Sequence, residues 1–287
     1  MSSTHPQPRP GDGPHTERTP RVAAARALLR RHGREQAGRF LVEGAQAVRE
    51  AVAYGELVEL FATPRAAARH PELLDASEAA GARVSLVTER AAAGLSETTT
   101  PQGLVAVCPV LGVPAGSALR GVRLAAVLVG VGEPGNAGTV VRVADAAGAG
   151  TVLFAGQTVD PHNGKCVRAS AGSLFHLPIA VEPDPRSAVR ACREAGLRVL
   201  AADGATGRDL DGAADDGTLE APTAWLFGSE AHGLTRELLA AADGAVAVPL
   251  HGRAESLNLA TAAAVCLYAS ARAHRRRSAA QSPAAIT

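Results

Sequence analysis

The sequence predicts an α/β protein of two domains, a small one followed by a larger one built on a parallel sheet. Three observations carry this prediction. The chain has 287 residues and 46% hydrophobic content, enough for each of two domains to bury its own core. Strand-length apolar runs alternate with stretches of helical periodicity along most of its length. The alternation is interrupted at LGVPAGSA, residues 111–118, where Gly, Pro and Ser separate two apolar patterns and mark a linker, taken as 111–120.

Residues 1–20, MSSTHPQPRPGDGPHTERTP, are too polar and too rich in Pro and Gly to bury a core, so a disordered tail is expected. The first domain, 21–110, opens with a basic helix, RVAAARALLRRHGREQ. A helix over 45–54, strand 57–62, helix 65–80, strand 83–88 and strand 103–110 follow. In the second domain, 121–275, strands are predicted near 124–131, 151–155, 199–202, 223–227 and 245–250, with helices between them. A parallel sheet covered on both faces is the natural packing for that order, with ligands at the carboxyl ends of the strands. The last helix, 256–272, is Ala-rich and apolar nearly all round, which predicts burial in the core or against another subunit. Residues 276–287 are expected to be a second disordered tail.

Net charge is only +1, but both ends are basic. Seven arginines and one acid fall between Arg18 and Arg39, and after Asp243 the only acid is Glu255. Lys165 is the only lysine among 29 Lys and Arg residues, an arginine bias that GC-rich codon usage explains. Cys108, Cys166, Cys192 and Cys266 lack C-x-x-C spacing, which predicts free thiols in a reducing compartment and no metal site. No apolar run approaches membrane-spanning length, and Arg26 interrupts the one candidate signal core. A soluble, cytoplasmic protein is expected.

LVGVGEPGNAGTVVRVADAAGAG, residues 128–150, contains a literal G-x-G-x-x-G at Gly130, Gly132 and Gly135. A dinucleotide loop nevertheless fits poorly. Glu133 puts negative charge where phosphates would sit, Pro134 has no amide hydrogen, and the next strand ends in Gly156 and Gln157 instead of a ribose-binding acid. The loop serves something else.

Three polar clusters fall where strands end. EPGNAGTVVRVADAAGAG carries Asn136 and, six residues on, Arg142; WLFGSEAHGL carries Gly228, Ser229 and Glu230; VPLHGRAESLNLATAAAVCLY carries Ser256 and Asn258. Each residue also has a plain structural reading: Asn136 or Ser256 as a helix N-cap, Glu230 as a solvated loop acid, Asn258 bonded to nearby backbone. Taken together and in this order, the clusters resemble the motifs of the SpoU branch of the SPOUT superfamily, AdoMet-dependent RNA ribose 2′-O-methyltransferases. ASAGSLFHLPIAV (169–181) is similar to that family's middle region. Upstream, GRFLVEGAQAVREAV and TTTPQGLVAV resemble the ends of an L30e-like substrate-binding domain found in rRNA-modifying members.

The resemblance implies an α/β trefoil-knot methyltransferase domain preceded by a small L30e-like α/β domain. It implies S-adenosyl-L-methionine as cofactor, bound by Leu226, Phe227 and Gly228, by Val248, Pro249 and Leu250, and by Leu257 and Asn258. It implies catalysis by Arg142, Asn136, Glu230, Ser256 and Asn258. The resemblance gives Arg142 a role in activating the hydroxyl; because a guanidinium does not normally deprotonate, clamping a neighbouring phosphate and a developing oxyanion is the more conservative role, and the two stand as alternatives. Arg26, Arg30, Arg31, Arg34, Lys165 and Arg168 are candidate RNA contacts, with a solvated face as the competing reading. The expected activity is methylation of a 23S rRNA ribose; a tRNA substrate and a non-catalytic RNA-binding or ribosome-assembly role are the alternatives. The final helix is expected to form a homodimer near Val265, Leu267 and Tyr268.

Overall fold

A computed structural model describes residues 13–205 and 208–281. The chain divides into two compact units between Val110 and Leu111.

In the first unit, helices α1 (Pro20–Ala27) and α2 (Arg31–Ala37) precede strand β1 (Arg39–Glu43) and helix α3 (Ala45–Tyr54). Strand β2 (Glu59–Ala62), helices α4 (Pro64–Arg69) and α5 (Pro71–Ala79), strand β3 (Arg83–Leu86), helix α6 (Glu89–Ala93) and strand β4 (Leu104–Pro109) complete it. The four strands form a sheet in the order β1-β4-β2-β3, antiparallel except for the β2 and β3 pair. Val22, Leu28, Leu41, Phe61, Leu95 and Val105 build a core between one sheet face and α1 and α6.

Several expectations are corrected here. The basic stretch is two helices. Gly33 sits so close to the end of α1 that a Cβ would lie 2.1 Å from the Ala27 carbonyl oxygen. Arg34 is buried and its guanidinium donates to the carbonyls of Leu28 and Leu29, both at 3.0 Å, satisfying groups a helix end leaves open. The stretch predicted as one helix over 65–80 is also split, because Pro71 drives His70 out of helical geometry to φ −132°. Within the expected N-terminal tail, residues 1–12 lie outside the described residues, but His15 is tied to β3. Its amide donates to the Leu86 carbonyl at 2.8 Å, and its carbonyl accepts from Thr88 at 2.9 Å.

The second unit contains helix α7 (Ala115–Ala118), strand β5 (Leu124–Val129), helix α8 (Pro134–Ala147), strand β6 (Thr151–Ala155) and helix α9 (Gly164–Ser170). Then come strand β7 (Ile179–Glu182), helix α10 (Pro185–Glu194), strand β8 (Arg198–Ala202), helix α11 (Leu210–Asp215) and strand β9 (Thr223–Phe227). Helix α12 (Arg236–Ala241), strand β10 (Gly244–Val246) and helix α13 (Leu259–Gln281) end it. The six strands are all parallel, in the order β10-β8-β9-β5-β6-β7. Helices α8 and α13 cover one face, and α7, α10 and α12 bury the other through Leu119, Val189, Cys192 and Leu238.

After β5 the chain moves outward through β6 and β7, whereas β9 inserts on the opposite side of β5. The sheet therefore has a switch point between β5 and β9, where open α/β sheets form ligand crevices. Helix α13 starts three residues later than predicted and runs to Gln281, so the expected C-terminal tail is helical at least to that residue; 282–287 lie outside the described residues. All four cysteines are free and buried, and burial pushes each thiol up to about 12. No helix among the described residues is long and apolar enough to cross a membrane. None of them forms a group of three or more side chains suited to a metal ion.

Candidate active site

The crevice at the β5 and β9 ends is built by two glycine turns and two helix starts. Gly130, at φ 62°, turns the chain out of β5, and a Cβ there would stand 4.0 Å from that of Ser229, just after β9. Gly228 has no room for a side chain: its Cβ would lie 2.3 Å from the carbonyl carbon of Gly233. That close approach closes a tight loop in which the Gly233 amide donates to the Ser229 carbonyl at 2.8 Å. Sequence reading gave Gly228 the task of admitting the cofactor and overlooked Gly233; the residue is first a requirement of the protein's own backbone. A cleft of about 400 Å³ opens beside this loop, with Gly132, Glu133, Ser229, Glu230 and His232 among its lining residues.

Three residues distant in sequence join here into one chain of hydrogen bonds. The Asn136 side-chain amide, in the first turn of α8, donates to Glu230 Oε1 at 2.8 Å. The Asn258 amide donates to Asn136 Oδ1 at 3.0 Å. Asn258 Oδ1 is then left to cap α13, accepting from the amides of Ala260 at 2.9 Å and Thr261 at 3.3 Å. A carboxylate only accepts, so Glu230 fixes the orientation of both amides in turn, and the two asparagines cannot flip without losing a bond.

Ser256 does not join this chain. It is exposed in the loop before α13, and Asn258 takes the capping position that the sequence left open to Ser256. Arg142 is exposed on α8. Six residues of helix separate it from Asn136 by about 9 Å along the axis and roughly 120° around it. It shares an exposed stripe with Thr139 and Ala146.

Of the expected cofactor contacts, Leu226 and Phe227 are fully buried, with Leu226 in the core beneath the sheet and Phe227 stacked on Trp225. Only their backbone could meet a ligand. Val248 and Pro249 are half-buried, while Leu250 and Leu257 stand 41% and 37% exposed. Two open leucines in a loop at the strand ends are what an adenine ring would cover, and the residues present fit such a group.

Glu133 caps α8 by accepting from the Gly135 amide at 3.0 Å, and Lys165 Nζ lies 2.7 Å from the same carboxylate. Lys165 and the Gly135 amide hold the Glu133 carboxyl below its ordinary range. Gly138 allows this meeting, because α9 packs so close that a Cβ there would be 2.2 Å from the Cys166 carbonyl oxygen. Among the expected RNA contacts, Arg26 and Arg30 are exposed, Arg31 pairs with Glu35 at 2.8 Å, and Arg168 is half-buried. Arg34 is removed from that set by its burial and its bonds to the end of α1.

Comparison with known proteins gives the same arrangement a context. The sequence model of the SpoU rRNA Methylase family matches residues 123–268, and that of the MRM3-like substrate binding domain matches residues 19–106. The 23S rRNA (guanosine(2553)-2'-O)-methyltransferase RlmP of Bacillus subtilis is 32% identical over 82% of this chain and 89% of its own. An AdoMet-bound rRNA methyltransferase structure from Sinorhizobium meliloti aligns at TM-score 0.76 and 31% identity, covering 88% of this chain and 95% of the other. The SpoU methyltransferase AviRb of Streptomyces viridochromogenes in complex with AdoMet aligns at 0.75 and 30% identity, over 91% and 99%.

Proposed function

Because the chain belongs to the SpoU rRNA methylase family, we propose that it methylates one ribose 2′-hydroxyl of 23S rRNA at the β5/β9 crevice, using S-adenosyl-L-methionine. The observation that carries the reading is the bonded series Glu230, Asn136, Asn258, which ties together the loops after β5, β9 and β10. The cofactor supplies an electrophilic methyl group. The protein's part is to hold the hydroxyl in line with it and to stabilise the oxyanion as the proton leaves. Leu250, Leu257 and the backbone at 226–228 form the cofactor wall. Asn136 and Glu230 present oriented polar atoms to the ribose, and Arg142 clamps the adjacent phosphate. The first unit, with Arg26 and Arg30 exposed, adds phosphate contacts that give affinity without sequence information.

The protein acts as a homodimer through α13 in this reading. Val265 and Tyr268 are 39% and 47% exposed on one face of α13. The Tyr268 hydroxyl donates to the Ala146 carbonyl at 3.4 Å, one turn beyond Arg142 on α8. A second copy docking there would cover both apolar side chains and lie beside Arg142, completing the site near the interface. Leu267 is fully buried within its own protomer and is withdrawn from the contact surface. The test is Arg142→Ala: methyl transfer to 23S rRNA should be abolished while AdoMet affinity, measured by calorimetry, stays near the wild-type value. An active variant would remove Arg142 from the chemistry.

A further inference from the structure

The crevice carries two carboxylates and must admit a polyanion. Glu230 is engaged by the Asn136 amide. Glu133 has no side-chain amide partner; its charge is met by Lys165, at 2.7 Å, and by the Gly135 backbone amide. The pair is substantially open to solvent, with the two side chains 59% and 46% exposed. Such a pair contributes little to folding stability. Its location gives it another consequence. Glu133 lines the cleft beside Ser229 and Glu230, and an unneutralised carboxylate there would repel every phosphate that approaches the ribose site.

We propose that Lys165 is a positioning residue for the reaction: it fixes and neutralises Glu133 so that RNA enters the crevice, and it does not itself contact the RNA phosphates. The inference rests on the reading that RNA is methylated at this cleft. It also accounts for the residue type. The ammonium of Lys165 is a compact point charge on a flexible stem and can place one donor on one carboxylate oxygen, whereas an arginine fork is built for two-point pairing. Close packing of α9 on α8 at Gly138 fixes where the stem begins.

The two possible roles of Lys165 differ in a double-mutant cycle. Steady-state methylation of an in vitro 23S rRNA transcript, with radiolabelled AdoMet, gives KM for RNA and kcat for the wild type, Lys165→Met, Glu133→Gln and the double variant. Lys165→Met should raise KM by about three- to tenfold, the scale of one uncompensated charge near a phosphate in a wet site. It should leave kcat and Tm nearly unchanged, and added salt should shrink the effect. Glu133→Gln keeps an oxygen for the Gly135 amide and removes the charge, so its KM should be no higher than that of the wild type. Adding it to Lys165→Met should restore KM.

A double variant as impaired as Lys165→Met would show that Lys165 binds RNA directly and would overturn the proposal. So would a raised KM for Glu133→Gln alone, which decides the matter even if Lys165→Met does not fold. An unchanged KM for Lys165→Met contradicts it equally. A wild-type enzyme inactive on every RNA tested would defeat the reading beneath the proposal, an outcome recognisable before any variant is compared.

Discussion

Asn258 performs two tasks with two different atoms, and a single substitution separates them. Its Oδ1 caps α13, whereas its amide nitrogen donates to Asn136. Asn258→Asp keeps the capping oxygen, and a negative charge at a helix N-terminus is worth typically 0.3–1 kcal/mol in its favour at low ionic strength. The same change replaces the donor facing Asn136 Oδ1 with a second acceptor, so the Glu230-directed series loses its last bond and gains a repulsion. Asn258→Ala loses both tasks and should cost about 1 kcal/mol of stability from the cap alone. For a unit of this size that is a fall in Tm of roughly 2–4 °C. The assay pairs thermal unfolding with methyl transfer. Asn258→Asp should melt at or above the wild-type temperature with methyl transfer reduced at least about tenfold, the effect of some 1.4 kcal/mol on the barrier. Full activity in Asn258→Asp would refute the reasoning, since the bond from Asn258 to Asn136 would then be irrelevant to the reaction.

Further outcomes follow from the packing. Gly228→Ala would force the 228–234 loop off its own backbone at 2.3 Å from Gly233; a destabilisation of about 1–3 kcal/mol in urea unfolding is expected, together with weakened AdoMet binding. Unchanged unfolding would contradict the close approach. Tyr268→Arg, on the exposed face of α13, should yield a folded monomer by sedimentation, whereas Leu267→Arg should unfold the protein by burying an unpaired charge. A dimeric Tyr268→Arg would move the interface elsewhere. His274 Nε2 donates to the Ala221 carbonyl at 2.8 Å, and its pKa is lowered below 6.5 mainly by burial, with Arg123 and Arg277 adding to the shift. A depressed folded pKa means that the stabilisation from neutral His274 is complete above about pH 6.5 and is lost as pH falls through the folded value. The drop in Tm between pH 7.5 and 5.5 should therefore shrink in His274→Gln, and identical drops would count against this.

The strands that the sequence displayed best are the buried parallel ones: β6 and β9 lie over the predicted residues, because TVLFA and TAWLF are continuous apolar runs with turn residues after them. β1 and β7 were missed. RFLVE and IAVE are short and edge-placed, and their identity as strands depends on partners 66 and 27 residues away in the chain, beyond what local periodicity can show. Arg34 illustrates the same limit for charge. Arg34 belongs to a basic run in the sequence, yet the corner between α1 and α2 turns it inward as a carbonyl cap.

For the site, the three clusters were legible as motifs, and Asn136, Glu230 and Asn258 meet in space. What the residues could not disclose was direction. The amide order set by Glu230, the exposure of Arg142 on another side of α8, and the pairing of Lys165 with Glu133 all depend on contacts between segments far apart in the chain. Leu226, Phe227 and Gly228 were expected at the cofactor. In the structure the side chains of Leu226 and Phe227 are buried in the core, and Gly233 stands where a side chain at Gly228 would go.

The most direct test of the account is the destination of the methyl group. Purified protein and radiolabelled AdoMet should be incubated with 23S rRNA from a strain lacking the protein, and the methylated nucleotide mapped by nuclease digestion and mass spectrometry. The account predicts a single 2′-O-methylated nucleotide in 23S rRNA, present with the wild type and absent with Arg142→Ala. Methyl groups on a base, or none in any RNA despite measurable AdoMet binding, would contradict it.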